Sequence, residues 1–534
     1  MNNFRRFGVM LDMSRNGVMT VSAVKRFLSV MQKMGYNCLE LYTEDTYEIE
    51  GEPFFGYMRG RYTSTELKEI DAYAQSLGIE LIPCVQTLAH FTALVRHGAY
   101  RDIVDVNDIL LADEEKTYAL IDKIFKTLAN NFSSRLVNIG MDEAHMVGLG
   151  KYLDKHGFVN RTELLLRHLN KVAEIAKKYG FQAHMWSDMF YRLANGGHYH
   201  GGGVSKDIAS KIPDNVDLVY WDYYHDEKKV YDDAFDSHQA ISSNTWFAGG
   251  AWTWYGFAPL NGWTMQSMRP AIESAKEKKV QDVLITMWGD NGRECSPFAL
   301  LPSLYAISCY ARDEYNEDAI KNGFKKTFGV DFDSFMLLDI PNGESYRKCD
   351  KIERKMDGAS KTVFYCDAFF GIFDKDIERI GDLPYGDYAN ELKTAKASAG
   401  EYAYLFDDMQ AFCEVLAVKA TLGLRTRKAY EAGDKTALAK LVTEYDKTIE
   451  KVQAFHATHY TLWHNECKPN GWEVQDIRMG GLMQRLTTCK RRLNGYINGE
   501  IERLTELEEE VVMANKTPDL RCNWWQYLAS NSLL

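Results

Sequence analysis

No run of about 18 apolar residues occurs in the 534-residue chain, which leaves nothing to span a membrane as a helix. No two of the ten cysteines form a C-x-x-C pair, so the sequence offers neither a zinc ribbon nor a dithiol redox motif. Scattered from Cys38 to Cys522, they read as buried thiols in a reducing compartment. Positive charge is in deficit, with 63 Lys and Arg against 75 Asp and Glu, a net charge of -12. That balance disfavours nucleic acid and anionic membranes as partners. No glycine-rich phosphate motif of the P-loop or dinucleotide type is present. At the N-terminus, "MNNFRRFGVMLDMSRNGV" has a basic pair, but Asp12 interrupts its apolar run too early for a secretory h-region. A cytoplasmic protein is expected.

What is present is a soluble globular composition, 46% hydrophobic and 26% charged. From residue 7 to about 310, short apolar runs alternate with amphipathic stretches, the pattern of a parallel sheet with crossover helices. Eight strands are predicted: "FGVMLDMS", "CLELYTE", "IELIPCVQT", "LVNIGMDE", "FQAHMWSD", "VDLVYWDYY", "TWFAGGAW" and "VLITMWGD". Eight suggest an α/β fold of the (β/α)8 TIM-barrel type. Residues 63–78, "TSTELKEIDAYAQSLG", predict a crossover helix with a Ser/Thr cap and a closing Gly78. After about residue 325 long helical patterns take over, notably over 390–433 and 477–512, and predict an all-α C-terminal domain. The expected division is 1–325 for the barrel and 326–534 for the helical domain.

Polar residues gather where strands end: Asp12 and Arg15, Glu44 and Asp45, His90, Asp142 and Glu143, Asp188, and Asp290. In a (β/α)8 barrel that is the face where active sites are built. The most pointed case is "LVNIGMDEAH" (136–145), an apolar strand that ends on two adjacent acids. Acid pairs are common here, since Asp113-Glu114, Asp226-Glu227 and Asp313-Glu314 read as solvated surface, so context decides. Successive strand residues face opposite sides. Both carboxylates reach one site only where the strand gives way to a loop, and Gly140 permits that bend. Two carboxyl groups sharing a partly buried site do not ionise equally, the electrostatic condition for glycosidic cleavage. A structural ion pair or helix cap is the competing reading. Trp186, Trp221, Trp254 and Trp288 fall at or just beyond four consecutive strand ends. Indole faces suit the apolar C–H faces of a pyranose, although any one of these tryptophans could equally be core.

Four motifs in this order carry a family resemblance. "NIGMDEAH" resembles the Gly-x-Asp-Glu motif of glycoside hydrolase family 20, the exo-β-N-acetylhexosaminidases, and "LDMSR" (11–15) resembles its strand-one Asp-x-x-Arg. "LIPCVQTLAH" (81–90) is similar to the strand-three segment ending in histidine, and "MWGD" (287–290) to the final Trp-x-acid. The resemblance covers residues 1 to about 320. It implies hydrolysis of terminal β-GlcNAc or β-GalNAc with retention, the substrate's own 2-acetamido oxygen attacking the anomeric carbon. Asp142 would then polarise the acetamido group and stabilise an oxazolinium ion, and Glu143 would serve as general acid and base. Arg15 and Asp290 would bind ring hydroxyls, His90 with Glu44 and Asp45 would tune Glu143, and Tyr255 or Tyr224 would hold the acetamido group. Trp186, Trp221, Trp254 and Trp288 would wall the pocket.

The chain departs from the family at several points. Asn138-Ile139 stands where many relatives have His and Gly, Leu88-Ala89-His90 where Pro-Gly-His is usual, and Asp290 where Glu is commoner. Strand one begins near Phe7 without the family's small N-terminal domain, so the closest resemblance is to shorter intracellular bacterial members. No cofactor is expected. No metal is expected either, because in "NGGHYHGGG" (195–203) no carboxylate or cysteine spacing completes a ligand set for its two histidines. That tract reads as a flexible loop, His145 as a loop histidine and 463–482 as structural packing. The expected partner is a small oligosaccharide or glycoconjugate, and a homodimer is left open. Two other functions stay in view: a retaining glycosidase with a covalent carboxylate nucleophile, and a catalytically silent sugar-binding protein.

Overall fold

The computed structural model describes residues 3–242, 244–349, 352–514, 516 and 519–532. The eight predicted strands form at β1 Arg6–Asp12, β2 Cys38–Thr43, β3 Glu80–Val85, β4 Leu136–Asn138, β5 Gln182–Trp186, β6 Val216–Trp221, β7 Thr245–Gly250 and β8 Asp282–Met287. All pair in parallel and close into one barrel in the order β1-β8-β7-β6-β5-β4-β3-β2. Closure depends on close backbone approach at Gly8, which pairs with Cys38 on one side and Leu284 on the other. A Cβ there would lie 2.3 Å from Cys38 Sγ.

The crossover helices include α1 Val21–Met34, α2 Ser64–Ser76, α3 Glu115–Asn131, α4 Arg161–Lys178 and α5 Lys228–Gln239. Helix α2 matches the helix expected at 63–78. Thr63 and Glu66 form a reciprocal capping box at its start, and Gly78, at φ 70°, lies just past its end. The barrel axis is not purely apolar. His184 on β5 approaches Glu40 on β2 at 2.6 Å, both fully buried, and stacks on Trp246 at 4.3 Å. At the strand N-termini Arg6 reaches both Glu80 (2.9 Å) and Asp282 (3.3 Å).

The chain divides into two compact units: Met1–Ala251, Gln266–Trp288 and Ala306–Tyr315 form the first, and Trp252–Met265, Gly289–Tyr305 and Asn316–Leu534 the second. The second is helical, with α6 Tyr385–Lys396, α7 Ala403–Lys419, α8 Lys435–Glu466 and α9 Trp472–Ile497 as its main members. Its core gathers Phe257, Phe364, Phe412 and Phe455. The helical pattern over 390–433 is broken between α6 and α7 and again at Ala420–Thr421. Helix did not extend over 498–512 as the charge-rich pattern suggested. Asn498-Gly499 stops α9, Gly499 turns to φ 78°, and the N–H groups of Glu500 and Ile501 fold back onto the Gly495 carbonyl.

Candidate active site

Strand β4 is only three residues long, and its end sets the site. Gly140, Met141 and Glu143 all have positive φ, at 72°, 71° and 51°. The strand therefore dissolves into a tight turn directly under the acid pair. A side chain at Gly140 would have nowhere to go, since its Cβ would lie 2.2 Å from Gln86 Oε1. Gln86, just beyond β3, locks the turn by accepting from Met141 N (3.2 Å) and donating to Asp142 Oδ1 (2.8 Å). The same amide donates to the Tyr42 hydroxyl (3.1 Å), which donates to Glu44 Oε1 (3.1 Å).

The two acids have different surroundings. Asp142 is buried, whereas the Glu143 side chain is 46% exposed. His90, itself at φ 60°, brings Nε2 to 3.1 Å from Asp142 Oδ2 and 3.8 Å from Glu143 Oε2. The 3.1 Å approach lies off a hydrogen-bond line, so it acts as an ion pair. Burial opposes charge on His90, but Asp142 outweighs it and pushes the imidazole up to about 9. Burial likewise opposes charge on Asp142, and His90, Gln86 and Arg15 together hold it below the usual carboxylate range. The raised carboxyls lie beside the pair. Burial lifts Glu44 to about 7 against Arg15 and His90, and burial with the charges of Asp142 and Glu143 lifts Asp188 to about 7. Asp188, fully buried at the start of the short helix after β5, accepts from Glu143 N (3.2 Å) and meets Arg192 at 3.3 Å.

Arg15 is set by an Asx turn: Asp12 Oδ1 accepts from Ser14 N (2.8 Å) and Arg15 N (3.1 Å). Its guanidinium meets Asp12 (3.2 Å) and Glu44 (3.4 Å) and lies over the faces of Tyr42 (4.9 Å) and Trp288 (4.6 Å). Trp288 packs edge-on to Tyr42 at 4.8 Å and lies 6.0 Å from the fully buried Trp186. Trp221, partly exposed, stacks on Tyr223 at 5.3 Å. Asp45 turns to a different partner, Arg59. Its pairing is with a loop arginine, whereas the charge of Glu44 acts on His90.

Trp254, Tyr255 and Asp290 belong to the second unit. There Trp254 and Tyr255 pack on Trp252 at 4.4 and 5.2 Å, and Tyr255 lies in the field of Arg354, Asp357, Arg521 and Asp290. Tyr224 is 42% exposed and its ring packs on Tyr223. Tyr223 is one residue that sequence reading missed. It is buried, shares hydrogen bonds with Thr286 and Trp288, and feels the charge of Asp142. Gln86 and Tyr42 were also missed, although Glu40, Tyr42 and Glu44 recur at the period of two that marks one face of a strand.

The tract 195–203 also differs from the sequence reading. The fold supplies the carboxylate that spacing did not reveal, because Asp222 and His225 come beside His200, with one donor atom from each all within 4.8 Å of one another. Among the described residues no helix is long and apolar enough to cross a membrane.

A closed parallel barrel with its acids at the strand C-termini has the architecture of a (β/α)8-barrel enzyme. The family model for "Glycosyl hydrolase family 20, catalytic domain" matches residues 4–287, and the chain belongs to that family. More narrowly, "Glycoside Hydrolase 20C C-terminal domain" matches residues 333–523. Hexosaminidase D of Homo sapiens is 27% identical over 217 residues, covering 39% of this chain and 42% of that protein. Hexosaminidase D of Bos taurus is 24% identical over 213 residues, 38% of this chain and 59% of that protein. The chain thus spans about half the length of the curated relatives it matches. The GH20 exo β-N-acetylglucosaminidase of Vibrio harveyi, solved with N-acetylglucosamine, aligns at a TM-score of 0.48 and 15% identity over 64% of this chain and 59% of that one.

Proposed function

We propose that the protein is an exo-acting β-N-acetylhexosaminidase that removes terminal non-reducing β-GlcNAc or β-GalNAc with retention, through an oxazolinium ion formed by the substrate's own acetamido group. The observation that carries this reading is the asymmetry of the acid pair. Asp142 is buried yet held ionised by His90 and Gln86, while Glu143 beside it keeps a half-exposed side chain. A fixed anion suits charge that develops on the acetamido nitrogen, an interaction stronger in the transition state than in the ground state. Glu143 is free to meet the leaving oxygen, donate its proton and then take one from water.

In this reading Arg15 donates to ring hydroxyls from its seat on Tyr42 and Trp288, Trp221 and Trp288 wall the sugar, and the fully buried Trp186 backs Trp288. Tyr223, buried by Trp288 and in the field of Asp142, is a better acetamido ligand than exposed Tyr224. Asp188 replaces Asp45 as the carboxyl that supports Glu143, through the Glu143 amide. The ten free thiols, eight of them buried, suit a reducing cytoplasm. A cyclic thiazoline analogue of GlcNAc tests the mechanism. It is expected to inhibit competitively and to bind Asp142→Ala far more weakly. Equal binding to both proteins would contradict the role given to Asp142.

A further inference from the structure

We propose that His200, Asp222 and His225 form a binding site for a divalent transition-metal ion of the zinc type, lying behind the pocket wall and not in the pocket. Asp222 follows β6 directly and is fully buried. Its carboxylate is fixed by protein donors on both oxygens: Tyr220 OH reaches Oδ2 at 2.8 Å and Tyr224 N reaches Oδ1 at 3.0 Å. Support of a carboxylate from outside the ligand set is the usual design of a metal site. His225 Nδ1 lies 2.8 and 3.0 Å from the two carboxylate oxygens. Taken alone, that is an ordinary hydrogen-bonded pair.

His200 makes the difference. Its Nε2 stops 3.9 Å from Asp222 Oδ2, too far for a hydrogen bond, and its ring meets His225 edge to face at 4.9 Å. Ligand atoms each about 2.0–2.2 Å from one tetrahedral zinc ion lie roughly 3.3–3.6 Å apart, so the 3.9 Å gap needs to close, and the 2.8 Å contact of His225 to open, by only a few tenths of an ångström to share a cation. Two imidazoles and a carboxylate are a donor set suited to zinc and its neighbours, with positions left for water. The surroundings explain a structural role. Tyr220 packs on Phe235 of α5, placing Asp222 on the helix side of the barrel wall, while Trp221 and Tyr223 beside it face the other way. His200 arrives on a tract where Gly196, Gly197 and Gly201 all have positive φ. Its neighbour Tyr199 already inserts its hydroxyl between Ser187 (2.9 Å) and Trp221 N (3.2 Å). A cation would tie that tract to the end of β6 and the loop beyond it, which carry Trp221 and Tyr223.

The test uses full-length protein carrying Cys349→Ser, to remove the exposed thiol, stripped with chelator and titrated with Zn2+ against a chromophoric competitor. One ion per chain is expected, with a Tm that rises with zinc. His200→Ala leaves every hydrogen bond to Asp222 in place and should weaken binding at least about tenfold and abolish the Tm rise. Co2+ should give a d–d spectrum of nitrogen and oxygen donors without a thiolate charge-transfer band. Zinc uptake unchanged in His200→Ala, a thiolate band, or no uptake and no Tm shift in saturating zinc would each overturn the proposal.

Discussion

His90 joins the two acids electrostatically, and it shows how one residue sets the chemistry and the pH response together. Its folded pKa of about 9 exceeds the unfolded value of about 6.5, so its contribution to stability is complete below about pH 6.5 and fades as pH rises through about 9. Asp142 has the opposite sign: its contribution is present above the usual carboxylate value of about 3.9 and is lost as pH falls through its lowered folded value. The stability advantage of wild type over His90→Gln should therefore form a plateau between about pH 4 and 6.5 and disappear near pH 10, read by denaturant melts across pH. Asp142→Asn should lower kcat by about 10²-fold or more with a smaller change in KM, the scale of one transition-state charge stabiliser. Glu143→Gln should abolish activity on substrates with poor leaving groups and spare activated aryl glycosides far more, because those need little proton donation. Equal losses on both classes would remove Glu143 from the acid role. The acid pair was legible in sequence because Gly140 and two carboxylates ended an apolar strand. Tyr223 was not, because "WDYYHD" offers several aromatics and only the direction of each side chain distinguishes them.

At the scale of elements, the strands were readable because all are largely buried and each is bounded by a polar break, and α2 because a Ser/Thr cap opens it and Gly78 closes it. Partnerships between strands could not be read. Nothing in the local pattern tells that Gln86 crosses from β3 to hold the β4 turn, or that Asp45 meets Arg59 while its neighbour Glu44 meets Arg15. The end of α9 was misread because a charge-rich stretch after Gly499 keeps a helical composition while the backbone has already turned. Two substitutions separate scaffold from site. Thr63→Ala removes the α2 cap and should cost about 1 kcal/mol in stability while leaving kcat unchanged. Gly140→Ala forces a side chain into left-handed backbone against Gln86, and should lose at least about 1 kcal/mol and most activity together. Denaturant midpoints and initial rates on the two variants give the comparison.

For the whole molecule, the barrel supplies a rigid ring of strand ends and the net charge of -12 supplies no steering for a neutral sugar. kcat/KM on a neutral aryl glycoside should therefore vary by less than about twofold between low and high salt. The fold class was legible from eight repeats of strand and helix, since periodicity survives where individual contacts do not. The His200, Asp222 and His225 cluster was hidden at this scale, because its members lie on two loops that only the closed barrel brings together. The central claim is that the substrate provides its own nucleophile, and the most direct measurement is kcat/KM on matched p-nitrophenyl glycosides. The account predicts turnover of the β-GlcNAc or β-GalNAc glycoside and none of the β-glucoside, which has no acetamido oxygen. Comparable turnover of the β-glucoside would contradict it.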